Sequence, residues 1–231
     1  MPWKWHWKFW PPSRQDARSN RSSSNLETNV LKTLGGFFFR FRNILPIPLV
    51  LGLIKGARPK KIGWMLGLPL VISGEALRLW ALMHIGPTTR TRKVCADRLV
   101  TSGPYTLTRN PLYLANLLKV TGLLVIAGDL PLALISLIFY GAEFSCLVPF
   151  EEAFLRQTFG DEHRLYTEQV PAFFPDGRRF DNPATPAFSF REALVSERKT
   201  FGSTGLILGL LAYLTGFRAG AASSLQEGSS V

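Results

Sequence analysis

The sequence predicts an all-α fold, a polytopic membrane bundle of about four to five transmembrane helices. Three observations carry this. Hydrophobic residues make up 46% of the 231-residue chain, and the mean hydropathy is positive at +0.11. The apolar residues gather into four or five runs, several near the span length of about 20 residues. The net charge of +11, from 27 Lys and Arg against 16 Asp and Glu, falls largely outside those runs, as it does in membrane loops. This much apolar content excludes a largely disordered chain. Two cysteines, Cys95 and Cys146, exclude a disulfide scaffold and are expected as free thiols. A soluble nucleic-acid binder would spread its basic groups over a folded surface, with fewer uninterrupted apolar stretches. No nucleic-acid partner is expected.

The elements follow in chain order. Residues 1–33 form a basic leader. Its first ten residues alternate tryptophan with lysine. They read either as an interfacial anchor or as an unstructured leader, and they lack the apolar centre of a secretory signal. Ser13–Asn29 is polar, rich in Ser and Arg, and expected to be disordered. Residues 34–181 form the membrane core. Ile44–Ile54 contains Pro46 and Pro48; it is a tilted span together with Leu34–Phe41, which Arg40 and Arg42 interrupt, or a re-entrant segment. Ile62–Ile85 is long enough to span and holds Glu75 and Arg78. Leu112–Gly128 is apolar apart from Asn116 and Lys119. Leu130–Phe150 is the cleanest run, with Glu143 its one charge. Gly128–Asp129–Leu130–Pro131 is a tight turn, so the third and fourth helices form a hairpin. Residues 182–231 form a C-terminal unit. There Ser189 and Glu192 are spaced as a capping box for an interfacial helix over Phe188–Lys199, and Thr204–Phe217 is a short fifth apolar run.

Charge sets the orientation. Residues 1–43 carry a net +6, residues 44–149 carry +7 and residues 150–231 carry −2. Arg90–Arg109 holds five basic residues and the hairpin tip none, which puts Arg90–Arg109 and the segment after Phe150 in the cytoplasm. The four basic residues of Lys55–Lys61 then face outward, against the rule.

The informative stretch is Asp97–Tyr113. Ser102–Gly103–Pro104–Tyr105 is a turn. Asn110–Pro111 then opens the third helix, with Asn favoured as N-cap and Pro at the first helical position. Pure capping is one reading. The other is a helix N-terminus at the membrane surface, whose N–H groups and dipole attract an anionic group. The hairpin brings Glu151–Glu152, read as following the end of the fourth helix at Phe150, to the same membrane face. Two carboxylates at a helix C-terminus oppose the dipole, so capping leaves them unexplained. A cationic or hydroxylated ligand would explain them, and a solvated charge pair is the alternative. No GxGxxG, Walker A or paired Cys–His spacing is present, and no metal site is expected.

Together these residues resemble the isoprenylcysteine carboxyl methyltransferase and phospholipid methyltransferase superfamily. The matching residues are Leu99–Tyr105, Arg109–Tyr113, Glu151–Glu152, Leu155, Phe159–Gly160, Tyr166, Val170–Pro171 and Pro175. The resemblance implies a bacterial-type integral protein of the inner (cytoplasmic) membrane, with a cofactor pocket at the cytoplasmic face. S-adenosylmethionine would enter from the cytoplasm, and a lipidic or prenylated acceptor sideways from the bilayer. Asp97, Arg98, Leu99 and Val100 would line the adenosyl group, and Tyr105 would pack against the cofactor. Asn110, Pro111, Leu112 and Tyr113 would wrap its methionine part, and Glu151 would bind it from the fourth helix. Arg90 is a looser match. No catalytic residue is fixed. Glu152 is the weak candidate for a base, with His84 behind it.

Two departures narrow the reading. The family's Arg-His-Pro is Arg109–Asn110–Pro111 here, and Asn cannot carry a proton. Carboxyl methyltransferases carry a substrate-gripping arginine four residues before the glutamate; that position is Leu147. An NADPH-dependent sterol-type reductase resembles the same core, but its usual glutamate shortly after the tyrosine is Asn116 here. A non-catalytic scaffold that kept the fold is the remaining alternative. Glu75 and Arg78, three apart on one helix, read as a functional intramembrane pair or a mutual ion pair. Glu143 and Lys119 read as a structural pair.

Overall fold

The computed structural model describes residues 47–86, 98–182 and 184–228, and each regular element among them is helical. The all-α expectation is met. In chain order the helices are α1 (Ile47–Gly56), α2 (Lys61–Ile85), α3 (Pro111–Ala127), α4 (Leu130–Phe159), α5 (Asp161–Gln169), α6 (Phe190–Ser196) and α7 (Arg198–Gly228). One 3₁₀ turn, Gly103–Thr106, precedes α3. The leader, Leu34–Phe41, Arg90, Cys95 and Asp97 lie outside the described residues. α2, of 25 residues, and α4, of 30, are long and apolar enough to cross a membrane, and α3 is a shorter apolar helix. Met65, Ile138 and Leu206 are each at least 70% exposed. Bulky aliphatic side chains turned outward along such helices suit an apolar solvent.

The centre of the fold is the contact of α2 with α3, and glycine makes it. A Cβ on Gly67 would run into the carbonyl of Gly122, and one on Gly122 would lie 2.7 Å from Val71 Cγ2. At Gly74 it would lie 2.6 Å from the Ala115 carbonyl oxygen, and at Gly63 2.7 Å from that of Val125. The backbones therefore approach as small-residue helix pairs do in lipid, where dispersion replaces the hydrophobic drive. Val71, Leu123, Leu124 and Ile126 pack around this seam, closed by Leu211 of α7.

The predicted hairpin forms. Gly128 turns with φ +69°, and Asp129 caps α4 by accepting the Leu132 N–H at 2.9 Å. The basic Lys55–Lys61 loop lies against this turn, with the Arg58 N–H donating to the Ala127 carbonyl at 2.6 Å. It thus shares an end with the hairpin tip. The predicted capping box also forms: Ser189 Oγ accepts from the Glu192 N–H at 3.3 Å, and Glu192 accepts from the Ser189 N–H at 2.7 Å.

Four expectations are corrected. α4 does not stop at Phe150 but runs to Phe159 with Pro149 inside it. The apolar run ends at Phe150, yet the following Glu, Ala, Leu, Arg and Gln are good helix formers; Gly160, with φ +52°, ends the helix. Glu151 and Glu152 are therefore helix-interior residues. The helix expected over Phe188–Lys199 is shorter, Phe190–Ser196, and breaks at Glu197. Glu75 and Arg78 do not pair with each other. Glu75 Oε1 meets Lys119 Nζ at 3.3 Å and accepts from Thr204 Oγ1 at 2.9 Å. Arg78 grips Glu197 with two nitrogens, at 2.9 and 3.2 Å, and donates to Asn116 Oδ1 at 3.1 Å. Lys119 accordingly takes Glu75 as its carboxylate in place of Glu143. Both α2 charges point at neighbouring helices, where tertiary partners outcompete the i,i+3 neighbour.

The seam makes a sharp prediction. Gly122→Ala should lower the melting temperature in detergent although Ala is the better helix former, because overpacking costs about 1–3 kcal/mol. Gly202→Ala, where a Cβ meets nothing within 4 Å, should not lower it.

Candidate functional site

The site is assembled from the strip before α3, the first turn of α3, the last third of α4 and the chain after α5. The strip is pinned to the end of α2. Arg98 Nη2 donates to the His84 carbonyl at 3.0 Å, and His84 Nδ1 lies 2.9 Å from Ser102 Oγ. Gly103 sits flat on the His84 imidazole at φ +63°, where any Cβ would collide with the ring. His84, a possible base by sequence, is buried and engaged in this packing. The 3₁₀ turn is held from the other side. Tyr166 donates its phenol to the Tyr105 carbonyl at 2.7 Å, and burial pushes that phenol's pKa well up, keeping it a donor.

Arg109 is the hub, and it was missed as a site residue in the sequence. Its Nε donates to Glu152 Oε1 at 2.8 Å. Its Nη1 donates to the carbonyls of Val170 at 2.6 Å and Thr167 at 3.1 Å. Its backbone N–H donates to the Pro171 carbonyl at 3.0 Å. One side chain thus ties the start of α3 to α4 and to the chain leaving α5. Only its place directly before Asn-Pro could have marked it. The carboxylate of Glu152, the weak candidate for a base, is the acceptor in this clamp.

Asn110 does not cap α3 with its side chain. Its amide Nδ2 instead donates to the Ala172 carbonyl at 2.9 Å. The Tyr113 and Leu114 N–H groups both reach the Asn110 carbonyl at 3.1 Å. Pro111 occupies the first helical position, where its missing N–H costs nothing, and Leu112 follows it in the first turn. Of the predicted cofactor residues, Arg98 is exposed and Leu99, Val100, Leu112, Tyr113 and Glu151 are half-buried. Tyr105, Asn110 and Pro111 are buried.

Beside this turn an apolar groove of about 470 Å³ runs between α3, α4 and Phe173–Phe174. Phe144 stands in it, its ring 5.0 Å edge-on from Tyr113 and 5.7 Å from Phe173. The sequence did not reveal these phenylalanines as a lining, because aromatic residues in an apolar run read as ordinary core. Among the described residues, no group of three or more His, Cys, Asp or Glu side chains could hold a metal ion.

His163 of α5 is buried, and its Nδ1 has no hydrogen-bond partner among the described residues. Burial lowers its pKa below the usual histidine value, opposed by Glu152 and aided by Arg109 and Arg156. A histidine with a lowered folded-state pKa leaves stability fully present above its unfolded pKa of about 6.5, and that stability is lost as pH falls from there through the lower folded-state pKa. The melting temperature should therefore drop between pH 7 and 5, and His163→Gln should show a smaller drop over the same range.

The phospholipid methyltransferase family model matches residues 62–162. The chain is 34% identical over 111 residues to the cobalt-zinc-cadmium resistance protein CzcN of Cupriavidus metallidurans, covering 48% of this chain and 47% of that one. It is 30% identical over 113 residues to protein-S-isoprenylcysteine O-methyltransferase B of Arabidopsis thaliana, covering 47% and 57%. It is 33% identical over 114 residues to a probable protein-S-isoprenylcysteine O-methyltransferase of Oryza sativa, covering 47% and 59%. The chain spans about half the length of the curated relatives it matches. No solved structure matches. Residues 62–162, which contain the glycine seam, the hairpin and the Arg109–Glu152 clamp, are thus the stretch that resembles phospholipid methyltransferases, and about half of the chain is similar to protein-S-isoprenylcysteine O-methyltransferases.

Proposed function

We propose that this chain is an integral membrane methyltransferase that moves a methyl group from S-adenosylmethionine to a lipidic or prenylated acceptor, with its site at the cytoplasmic face of the bacterial inner membrane. The observation that carries the reading is the 2.8 Å Arg109–Glu152 contact. It draws the start of α3 and the Glu151 region of α4 to one place, beside the apolar groove. The family match over residues 62–162 supports the same chemistry.

The residues present fit the cofactor in kind. A carboxylate at Glu151 suits an ammonium or ribose hydroxyls. The Leu112 N–H at the positive end of α3 suits a carboxylate, and the face of Tyr113 suits a sulfonium. When bound, S-adenosylmethionine would supply a methyl group on a positively charged sulfur. The protein's part is orientation and exclusion of water. Phe144, Phe173 and Phe174 would take the acceptor's apolar chain and keep the reacting end dry. Glu152 serves the frame by holding Arg109. An anionic acceptor needs no base, whereas an amine or hydroxyl acceptor would draw on Glu152 only if Arg109 let it go. Leu147, at the place of the arginine that grips a substrate carboxylate, is buried, and among the described residues none that lines the groove is cationic. Both points favour an acceptor recognised by its lipid part.

Thermal shift in detergent tests the reading. S-adenosylmethionine or its demethylated product should raise the melting temperature, and Glu151→Ala should abolish that rise. A rise with NADPH alone would turn the assignment to a reductase; no rise with any of the three would leave a non-catalytic scaffold. Leu147→Arg should create no prenylcysteine carboxyl methylation by itself. Robust activity in that variant would show that a single cation was all the pocket lacked.

A further inference from the structure

The residues from Phe180 to Thr204 lie beyond the family-matched stretch, yet five of them, Phe180, Asn182, Phe188, Glu197 and Thr204, are fastened to it. The Phe180 N–H donates to the Thr106 carbonyl at 3.0 Å. Asn182 Nδ2 donates to Thr101 Oγ1 at 2.7 Å. The Phe188 N–H donates to the Met83 carbonyl at 3.0 Å, and its ring covers Gly86 so closely that no Cβ would fit there. Glu197, buried at the break between α6 and α7, takes the two-pronged Arg78. Thr204 reaches Glu75 at 2.9 Å. The anchors on α2 therefore descend in order, from Gly86 and Met83 through Arg78 to Glu75, as the C-terminal chain ascends.

The Arg98–Val100 strip has a tether on each side. Arg98 is bound to the His84 carbonyl, and Thr101 to Asn182. The first belongs to the core, the second to the C-terminal chain. Leu99 and Val100 between them are half-buried among the described residues. The Arg78–Glu197 pair fixes where the strap can lie, because separating a buried pair leaves an uncompensated charge.

We propose that residues 180–204 form a strap that sets cofactor affinity, with Asn182 as a positioning residue acting through Thr101 on the Leu99–Val100 strip. This rests on the methyltransferase reading. The strap then lies outside the residues that touch the cofactor and still governs how tightly they close on it.

Calorimetric titration of the full chain in detergent with S-adenosylhomocysteine tests this. Asn182→Ala and Thr101→Val should each weaken binding about fivefold, the net worth of one hydrogen bond. The double variant should lose no more than either single one, since both remove the same contact. Thr101→Ser keeps the hydroxyl and should bind as the wild type does. Single variants that melt earlier but bind with wild-type affinity would reduce the strap to a purely structural element and overturn the proposal. So would additive losses in the double variant, or a Thr101→Ser variant as weak as Thr101→Val. A wild-type chain that does not bind S-adenosylhomocysteine would overturn the methyltransferase reading itself; wild-type binding with unaffected variants would overturn the strap alone.

Discussion

The close approach of α2 and α3 is the constraint on which the rest depends. Gly63, Gly67, Gly74 and Gly122 remove the side chains that would hold the two helices apart. Because packed backbones leave no slack, the ends of the two helices are fixed relative to each other as well. His84 at the end of α2 then meets Ser102 and Gly103 ahead of α3. The strip that opens the site is laid on a rigid surface before any ligand arrives, and such preorganisation is what a positioning enzyme requires.

The same seam decides what can be done with charge. Glu75, Arg78 and Lys119 project from helices too apolar to leave them alone. Each is answered across helices: Lys119 by Glu75, and Arg78 by Glu197 and Asn116. Two acids and two bases cancel, so these polar links add no net charge to the bundle, and removing one partner would leave an uncompensated charge. Those links also bring the C-terminal helices onto the core, which dispersion alone would not do in one register.

Much of this was legible in the sequence, and the misses share a cause. The apolar runs located α2, α3 and most of α4, because hydropathy is a local property. Gly128–Asp129 and Ser189–Glu192 announced a turn and a cap for the same reason. The end of α4 was misread because solubility was taken for structure: Glu151, Glu152 and Arg156 interrupt the apolar run without interrupting the helix. Partners were misread because a helix neighbour was preferred to residues 119 positions away, as Glu197 is from Arg78. Arg109 stood in plain view beside Asn110–Pro111, but its three side-chain acceptors come from α4 and from the chain around the end of α5. No short-range pattern encodes them.

The length of α4 has a consequence for where chemistry can occur. Thirty helical residues extend about 45 Å, while the hydrocarbon layer of a bilayer is about 30 Å thick. A helix that enters at Leu130 leaves the oil well before it ends. Spanning from there, its final turns, which carry Glu151 and Glu152, would stand at headgroup depth, with the Phe144 groove just below in the acyl region. The water-borne donor and oil-borne acceptor of the proposed reaction would meet at that level without either leaving its own phase. On the proposed function, the protein's task would be one of altitude: a helix longer than the membrane is thick would hold the reaction at the boundary between two solvents.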